Sequence, residues 1–191
     1  MLVWFRSKPP VGGVLGGSGL GEWWQRSFTE DQRARIRAQV DQPFSIWSNL
    51  DAGPLETWPS GAKVYLVNLA CWFQIDGVRD IGREIMDKAE SLLPPVCGVL
   101  DSHFMLSNMI QFYHRCRKDH PRYPGLCVDR CRDMIAISKQ AAAALRAQWP
   151  NSELPAHYGY GRLSWLLRKS DPAESARLRS EGEDQGWGVS I

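Results

Sequence analysis

The sequence predicts an all-α fold: an array of antiparallel helical hairpins, preceded by an irregular tryptophan-rich N-terminal segment. Apolar residues recur with the 3.6-residue period of a helix in several segments. Apart from residues 2–6, no stretch alternates apolar and polar residues over the length of a strand. A composition of 43% hydrophobic and 23% charged residues over 191 residues fits one globular domain.

Residues 1–21 are predicted to form a flexible Gly/Pro-rich segment. Pro9 and Pro10 stop regular structure, and six glycines follow between Gly12 and Gly21. This stretch lacks the lysine of a phosphate-binding loop and the spacing of a dinucleotide-binding fingerprint. We therefore expect a connector without a nucleotide, and we expect residues 1–18 to be dispensable for folding.

Tryptophans are concentrated in the first third of the chain, which holds Trp4, Trp23, Trp24, Trp47 and Trp58 of the nine present. Large aromatic rings can close a core where aliphatic residues are few. Adjacent residues of a helix point in different directions. We therefore expect one ring of the Trp23-Trp24 pair to pack on the first hairpin and the other to remain partly in solvent.

Residues 22–187 are predicted to form a single helical-hairpin domain. A capping box of Thr29 and Gln32 begins a helix that ends near Val40. Three hairpins follow, over residues 61–92, 101–148 and 156–186. The second helix of the middle hairpin is predicted to be one long helix, from about residue 126 to residue 148. Ser60 is the expected cap of the first hairpin, Asp171 is the expected cap of the last helix, and Phe104, Ile110 and Tyr113 are expected to face inward.

The stretch YGYGRLSWLLRKSDPAESARLRSEGEDQGW, residues 158–187, resembles a tetratricopeptide repeat. The positions that carry the resemblance are Tyr160, Leu163, Ser164, Leu167 and Ala176. Ser180 and Glu183 depart from the repeat, because an aromatic and a small residue are usual there. The longer order of GLGEWW, FTEDQ, VLDSHF and GYGRL is similar to a set of uncharacterised bacterial proteins. The resemblance implies stacked helical hairpins that bind extended peptides or partner helices along their first helices.

The helix predicted over residues 156–169 carries the candidate binding face. Its core side takes Tyr160, Leu163 and Leu167, and its adjoining side takes Tyr158, Trp165 and Arg168. Aromatic area mixed with charge is typical of binding hot spots. The sequence therefore predicts a non-enzymatic interaction or scaffold module that binds another protein or a peptide through Tyr158, Trp165 and Arg168. No catalytic constellation is recognisable, since Asp101 and His103 point to different sides of their helix.

The alternative hypothesis is a metal-stabilised or nucleic-acid-binding helical domain centred on residues 114–132. The metal ligands would come from His114, Cys116, His120, Cys127 and Cys131. However, the last two cysteines share an apolar helix stripe, which favours buried thiols, so we expect no metal and no cofactor. The same stretch is rich in arginine, but its aspartates offset much of that charge and disfavour a nucleic-acid partner.

We expect a cytoplasmic protein without a membrane partner. The N-terminus lacks a signal-peptide pattern, and the longest apolar run, residues 64–73, is too short for a span. Five cysteines without a secretory signal predict reduced thiols. Homo-oligomerisation stays open, because short helical arrays expose apolar ends.

Overall fold

The computed structural model describes residues 10–40 and 49–189. These ranges are helical, as predicted, and their β contacts are two isolated bridges, Gly13 to Leu55 and Ala156 to Gly188. In chain order the helices are α1 (Gly13–Gly17), α2 (Gly21–Ser27), α3 (Glu30–Val40), α4 (Gly61–Ala70), α5 (Arg79–Ser91), α6 (Val99–Arg115), α7 (Tyr123–Ala136), α8 (Ser138–Gln148), α9 (Tyr158–Leu167) and α10 (Pro172–Asp184). A short 3₁₀ turn, Cys71–Phe73, follows α4.

Helices that follow one another in the chain pack as hairpins, and the hairpins form an array. Helix α4 packs on α5, α6 on α7, and α9 on α10, while contacts of α4 with α6 and of α7 with α9 join the pairs. Helix α6 lies in the middle, and its inward residues Met109, Ile110, Phe112 and Tyr113 are completely buried. Within residues 10–40 and 49–189, no helix has the length and apolar character needed to cross a bilayer.

Two of the three predicted caps are confirmed. The Thr29 amide donates to Gln32 Oε1 at 2.9 Å, and the Gln32 amide donates to Thr29 Oγ1 at 3.2 Å. Asp171 Oδ1 accepts from the Glu174 amide at 3.0 Å. The expected Ser60 cap is wrong, since the Ser60 side chain makes no capping hydrogen bond at the start of α4.

The long helix predicted over residues 126–148 is instead two helices, α7 and α8, which break at Ile137. No glycine or proline marks the break. Immediately after it, Ser138 Oγ donates to Gln185 Oε1 at 2.9 Å and lies 3.3 Å from the Tyr160 hydroxyl. Residues that are distant in sequence therefore form hydrogen bonds with the chain at the break between the helices. These contacts cannot be predicted from the local sequence pattern.

The expectation that Phe104 faces inward is also wrong, since its side chain is 46% exposed. Ile110 and Tyr113 are buried as predicted. Phe104 and Tyr113 are nine residues apart, which is two and a half helical turns at 3.6 residues per turn. The two residues therefore lie on opposite sides of α6, and Tyr113 packs on α7, where its ring centroid lies 5.1 Å from that of Tyr123.

The glycine stretch is not the irregular connector that was predicted. It contains α1 and the start of α2, and Val14, Leu15 and Leu20 within it are buried. A Cβ atom on Gly13 would lie 1.8 Å from the Asn49 carbonyl oxygen, and one on Gly17 would lie 1.9 Å from that of Glu56. These glycines therefore let α1 approach the backbone of residues 49–56 closely.

We expect Gly17→Ala to lower the free energy of unfolding by about 1–3 kcal/mol or more, because the new methyl group meets a rigid carbonyl. Gly125→Ala is the matched control. Gly125 also lies in a helix, but a Cβ there meets no atom within 4 Å, so alanine should be neutral or slightly stabilising. Urea denaturation followed by circular dichroism measures both variants. Equal stabilities for the two variants would contradict the close packing of α1.

The Trp23-Trp24 pair divides into one buried and one partly exposed ring, as predicted, but the contact with the first hairpin comes from the partly exposed ring; Trp4 and Trp47 lie outside the described residues. Trp24 is 1% exposed, and its Nε1 donates to Asp51 Oδ2 at 2.8 Å. Trp23 is half-buried and donates from Nε1 to Glu84 Oε1 on α5 at 3.0 Å. One ring of the pair is therefore in the core, and the other reaches the first hairpin from the surface.

Candidate functional site

The two predicted sides of α9 differ in their exposure to solvent. Tyr160 and Leu163 are buried, at 0% and 5% exposure, whereas Trp165 is 37% exposed. Tyr158 begins the helix and is half-buried, and the exposed Arg168 is its C-cap. Leu167, predicted to be in the core, is only half-buried because it lies at the end of the helix.

Buried and partly buried hydrogen bonds hold α9 against α10 and its C-cap Gln185. Ser175 Oγ donates to the Ser164 carbonyl oxygen at 2.8 Å. The Tyr160 hydroxyl donates to Glu181 Oε1 at 3.0 Å and accepts from Gln185 Nε2 at 2.8 Å. Ala176, the small residue that carried the repeat resemblance on the second helix, is exposed. Ser175 occupies the contact instead, so the register of α10 differs by one residue from the expected one.

The Trp165 indole is held by cationic and aromatic neighbours although it is partly exposed. The Arg168 guanidinium carbon lies 3.9 Å from the ring centroid, and that of Arg162 lies 5.6 Å away. The His114 ring meets the indole edge-on, with 5.6 Å between the centroids. Cation–π and edge-to-face contacts of this kind favour this orientation of the indole.

Arg162 and His114 form a direct pair, with Nη1 and Nε2 3.0 Å apart. A guanidinium can only donate, so His114 Nε2 accepts and the imidazole carries its proton on Nδ1. Burial, followed by the charges of Arg162 and Arg117, lowers the pKa of His114 to about 4. His114 is therefore a neutral acceptor at pH 7.

Arg162 was missed at the sequence level, although a signal for it was present. It follows Tyr158 by four residues and precedes Trp165 by three, so all three share one side of a helix. We define the α9 patch as the surface formed by Tyr158, Trp165, Arg168, Arg162, His114 and Arg117.

The arginines of the α9 patch have no carboxylate partners among the described residues. Within the part of the chain that the structure describes, Arg117 and Arg168 donate to main-chain oxygens, of His114 and Trp165 respectively. Arg162 is half-buried, its Nε is buried without an acceptor, and burial lowers its pKa. The patch therefore carries uncompensated positive charge.

The cysteines near the patch behave as the predicted buried thiols. Cys127 and Cys131 are 2% and 0% exposed, and Cys127 Sγ donates to the Ile110 carbonyl oxygen at 3.8 Å. The hydrogen bond with Cys127, together with burial, raises the pKa of Cys131. Across the described ranges, His, Cys, Asp and Glu side chains form no group of three that could hold a metal ion.

Half of the six arginine and lysine residues in residues 114–132 are paired with carboxylates. Arg122 pairs with Asp87, Arg130 with Asp133 at 3.0 Å, and Arg132 with Asp129 at 3.9 Å. Arg115 donates to Gln74 Oε1. The stretch therefore does not form one continuous cationic surface, which agrees with the expectation that its aspartates offset part of the charge.

A cleft of about 290 Å³ near the N-terminus is lined by Pro10, Val11, Trp24, Gln25, Glu30, Arg33, Arg37 and Asp51. It was not predicted from the sequence, because its charges come from separate segments. Arg37 donates to Asp51 Oδ2 at 2.7 Å and to Glu30 Oε1 at 2.8 Å, and Arg33 also pairs with Glu30. These charges satisfy one another and tie the loop of residues 49–56 to α3.

Comparison with known proteins gives no match: no family model, no curated protein and no solved structure is significantly similar to the chain.

Proposed function

We propose that the protein is a non-enzymatic interaction module that binds a peptide or a helix of another protein on the α9 patch. The observation that carries the proposal is Trp165. Its indole is partly exposed, yet Arg168, Arg162 and His114 hold it in place. An aromatic anchor that is already ordered loses little conformational entropy when a partner covers it.

The position of the patch in the fold supports the same proposal. Helix α9 is the first helix of its hairpin, and the resemblance to tetratricopeptide repeats implies binding along first helices. The packing of α9 on α7 and α10 provides a rigid support for the exposed side chains. We further propose a cytoplasmic location, because the five cysteines are free thiols.

Two substitutions on α9 are expected to separate the packing side from the binding side. Leu163→Ala should lower the free energy of unfolding by about 2–5 kcal/mol, because it leaves a cavity. Trp165→Ala should cost clearly less stability, since a third of the residue is already in solvent. Thermal and urea denaturation of both variants measure the difference. If Trp165→Ala unfolds the protein as severely as Leu163→Ala, Trp165 is a core residue and the proposed face is wrong.

The binding role is tested by quantitative affinity capture from cell extract with wild type, Trp165→Ala and Trp72→Ala. Trp72 is the matched control, because it is 46% exposed but lies in the 3₁₀ turn after α4. A central aromatic anchor can contribute more than about 2 kcal/mol of binding energy. We therefore expect specific partners to be lost with Trp165→Ala and retained with Trp72→Ala. Retention of every partner by Trp165→Ala would contradict the proposal.

A further inference from the structure

We infer that the α9 patch selects acidic peptide segments, whose carboxylates dock on Arg162, Arg168 and Arg117 beside Trp165. This inference rests on the proposed function and adds the chemical class of the partner. Its basis is the contrast between arginines that already have carboxylate partners and those that have none.

Acidic residues close to the patch in sequence are engaged elsewhere. Asp119, two residues after Arg117, pairs with Arg79 at 3.3 Å. Asp171, three residues after Arg168, caps α10 by accepting from the Glu174 amide. Neither carboxylate is therefore available to neutralise the patch from within the chain.

Arg162 is the arginine of the α9 patch whose positive charge is least compensated by its neighbours. Its guanidinium is partly removed from water. Among the described residues its Nε has no acceptor, and its hydrogen-bonding partner is the neutral His114 ring at 3.0 Å. A charge in such a position is costly unless a counter-charge completes the site. Arg37 provides the comparison within this chain, because it carries two carboxylate partners, Asp51 and Glu30. A carboxylate supplied by a partner would complete Arg162 in the same way.

The indole places an apolar surface between the cations. Arg168 and Arg162 both contact the Trp165 ring, at 3.9 and 5.6 Å from its centroid. A peptide that carries acidic residues next to an apolar one would therefore meet both kinds of contact. Guanidinium groups bind carboxylates with two parallel hydrogen bonds, which gives direction as well as charge.

A nucleic acid fits the same observations less well. A phosphate backbone needs a cationic track along which successive phosphates are neutralised. The neighbouring arginines that would extend such a track, Arg122, Arg130 and Arg132, are paired with aspartates. Beside Trp165, by contrast, Arg117, Arg162 and Arg168 bring together three cations that pair with no described carboxylate, which suits a short acidic segment.

The test uses the full chain and an array of short synthetic peptides made in matched pairs. One member of each pair carries Glu and Asp, and the other carries Gln and Asn at the same positions, with the apolar residues unchanged. Peptides that bind are then measured by fluorescence anisotropy against wild type, Arg162→Met, Arg162→Lys and Arg35→Met. Arg35 is exposed on α3, so its variant controls for the loss of one positive charge. A single-stranded RNA is measured in parallel.

We expect acidic members to bind and their amide copies to bind weakly. Arg162→Met should lower the affinity by about tenfold or more, because it removes hydrogen bonds to a charged group. Arg162→Lys should recover part of the affinity, because lysine keeps the positive charge but lacks the paired N–H donors of the guanidinium. Arg35→Met should bind like wild type, and added salt should weaken binding. Arg162→Met should unfold at the same or a higher urea concentration than wild type, because an unpaired charge is removed.

Failure of the inference can be distinguished from failure of the proposed function. If amide copies bind as tightly as acidic peptides and Trp165→Ala still abolishes binding, the acidic preference is overturned and the interaction face stands. If RNA binds more tightly than every acidic peptide and displaces them, the peptide class is overturned. If no peptide binds, or if Trp165→Ala binds all of them like wild type, both proposals are overturned.

Discussion

Lowering the pH from 7 to 4 is expected to destabilise the protein by several kcal/mol through two buried histidines. His103 on α6 and His157, the N-cap of α9, are 2% and 1% exposed. Both rings contact the buried Trp187: His103 stacks on it at 5.2 Å and His157 meets it edge-on at 4.8 Å. His103 Nδ1 and His157 Nε2 are buried and have no hydrogen-bond partner in residues 10–40 and 49–189.

Both imidazoles are held in the neutral form. Burial lowers the pKa of His103 to about 4, and burial followed by the charge of His103 lowers the pKa of His157 to about 3. Between these values and the ordinary 6.5, the unfolded chain binds more protons than the folded chain. The free energy of unfolding therefore falls as the pH falls below about 6.5. The shift of His103 alone corresponds to roughly 3 kcal/mol.

The measurement is urea denaturation at several pH values, with wild type and the double variant His103→Phe, His157→Asn. Phenylalanine keeps a ring against Trp187. Asparagine keeps an N-cap acceptor for the Tyr160 amide, which His157 Nδ1 accepts at 3.1 Å. The double variant should lose most of the acid-induced destabilisation, with a remainder from His114. His120→Gln, on the surface turn before α7, is the control and should behave like wild type. A double variant with the full wild-type pH dependence would contradict this explanation.

Deleting residues 1–18 should lower the free energy of unfolding by about 5 kcal/mol or more, contrary to the expectation that they are dispensable. Val14 and Leu15 within them are 4% and 0% exposed, and each buried aliphatic side chain contributes about 1.5–3 kcal/mol. The amides of Val14 and Leu15 also donate to the Asn49 and Leu50 carbonyl oxygens, at 2.9 and 3.0 Å. Removing these donors leaves acceptors unpaired, at about 1–3 kcal/mol for each one that stays buried.

A point variant distinguishes the stability lost with the packing of α1 from any effect of shortening the chain. Leu15→Ala should cost about 2–5 kcal/mol, because Leu15 is completely buried. Leu93→Ala, at a leucine that is 87% exposed, should change stability by less than about 0.5 kcal/mol. Differential scanning calorimetry of the deletion and both variants gives the comparison. Cooperative melting of the deletion at the wild-type temperature would show that α1 is not part of the core.

Local patterns were sufficient for the helices whose ends and faces are determined within a few residues. The Thr29–Gln32 box and the Asp171 cap involve residues three apart, so the sequence alone identifies them. The apolar period likewise assigned Tyr160 and Leu163 to the buried side of α9 and Trp165 to its exposed side, as the structure shows. In these cases the neighbours that decide the structure lie on the same helix.

Other features depend on segments that are distant in sequence, and only the tertiary structure decided them. Gly13 and Gly17 form part of a packed helix because the backbone of residues 49–56 lies against them, which a run of glycines does not reveal. The chain breaks at Ile137, next to the point where Tyr160 and Gln185 reach Ser138. The spacing of Arg162 places it beside Tyr158 and Trp165, but only the fold shows that His114 of α6 is its neighbour and that no described carboxylate pairs with it. Periodicity determines which side of a helix is buried, whereas the partners of a charge depend on which helices the fold brings together.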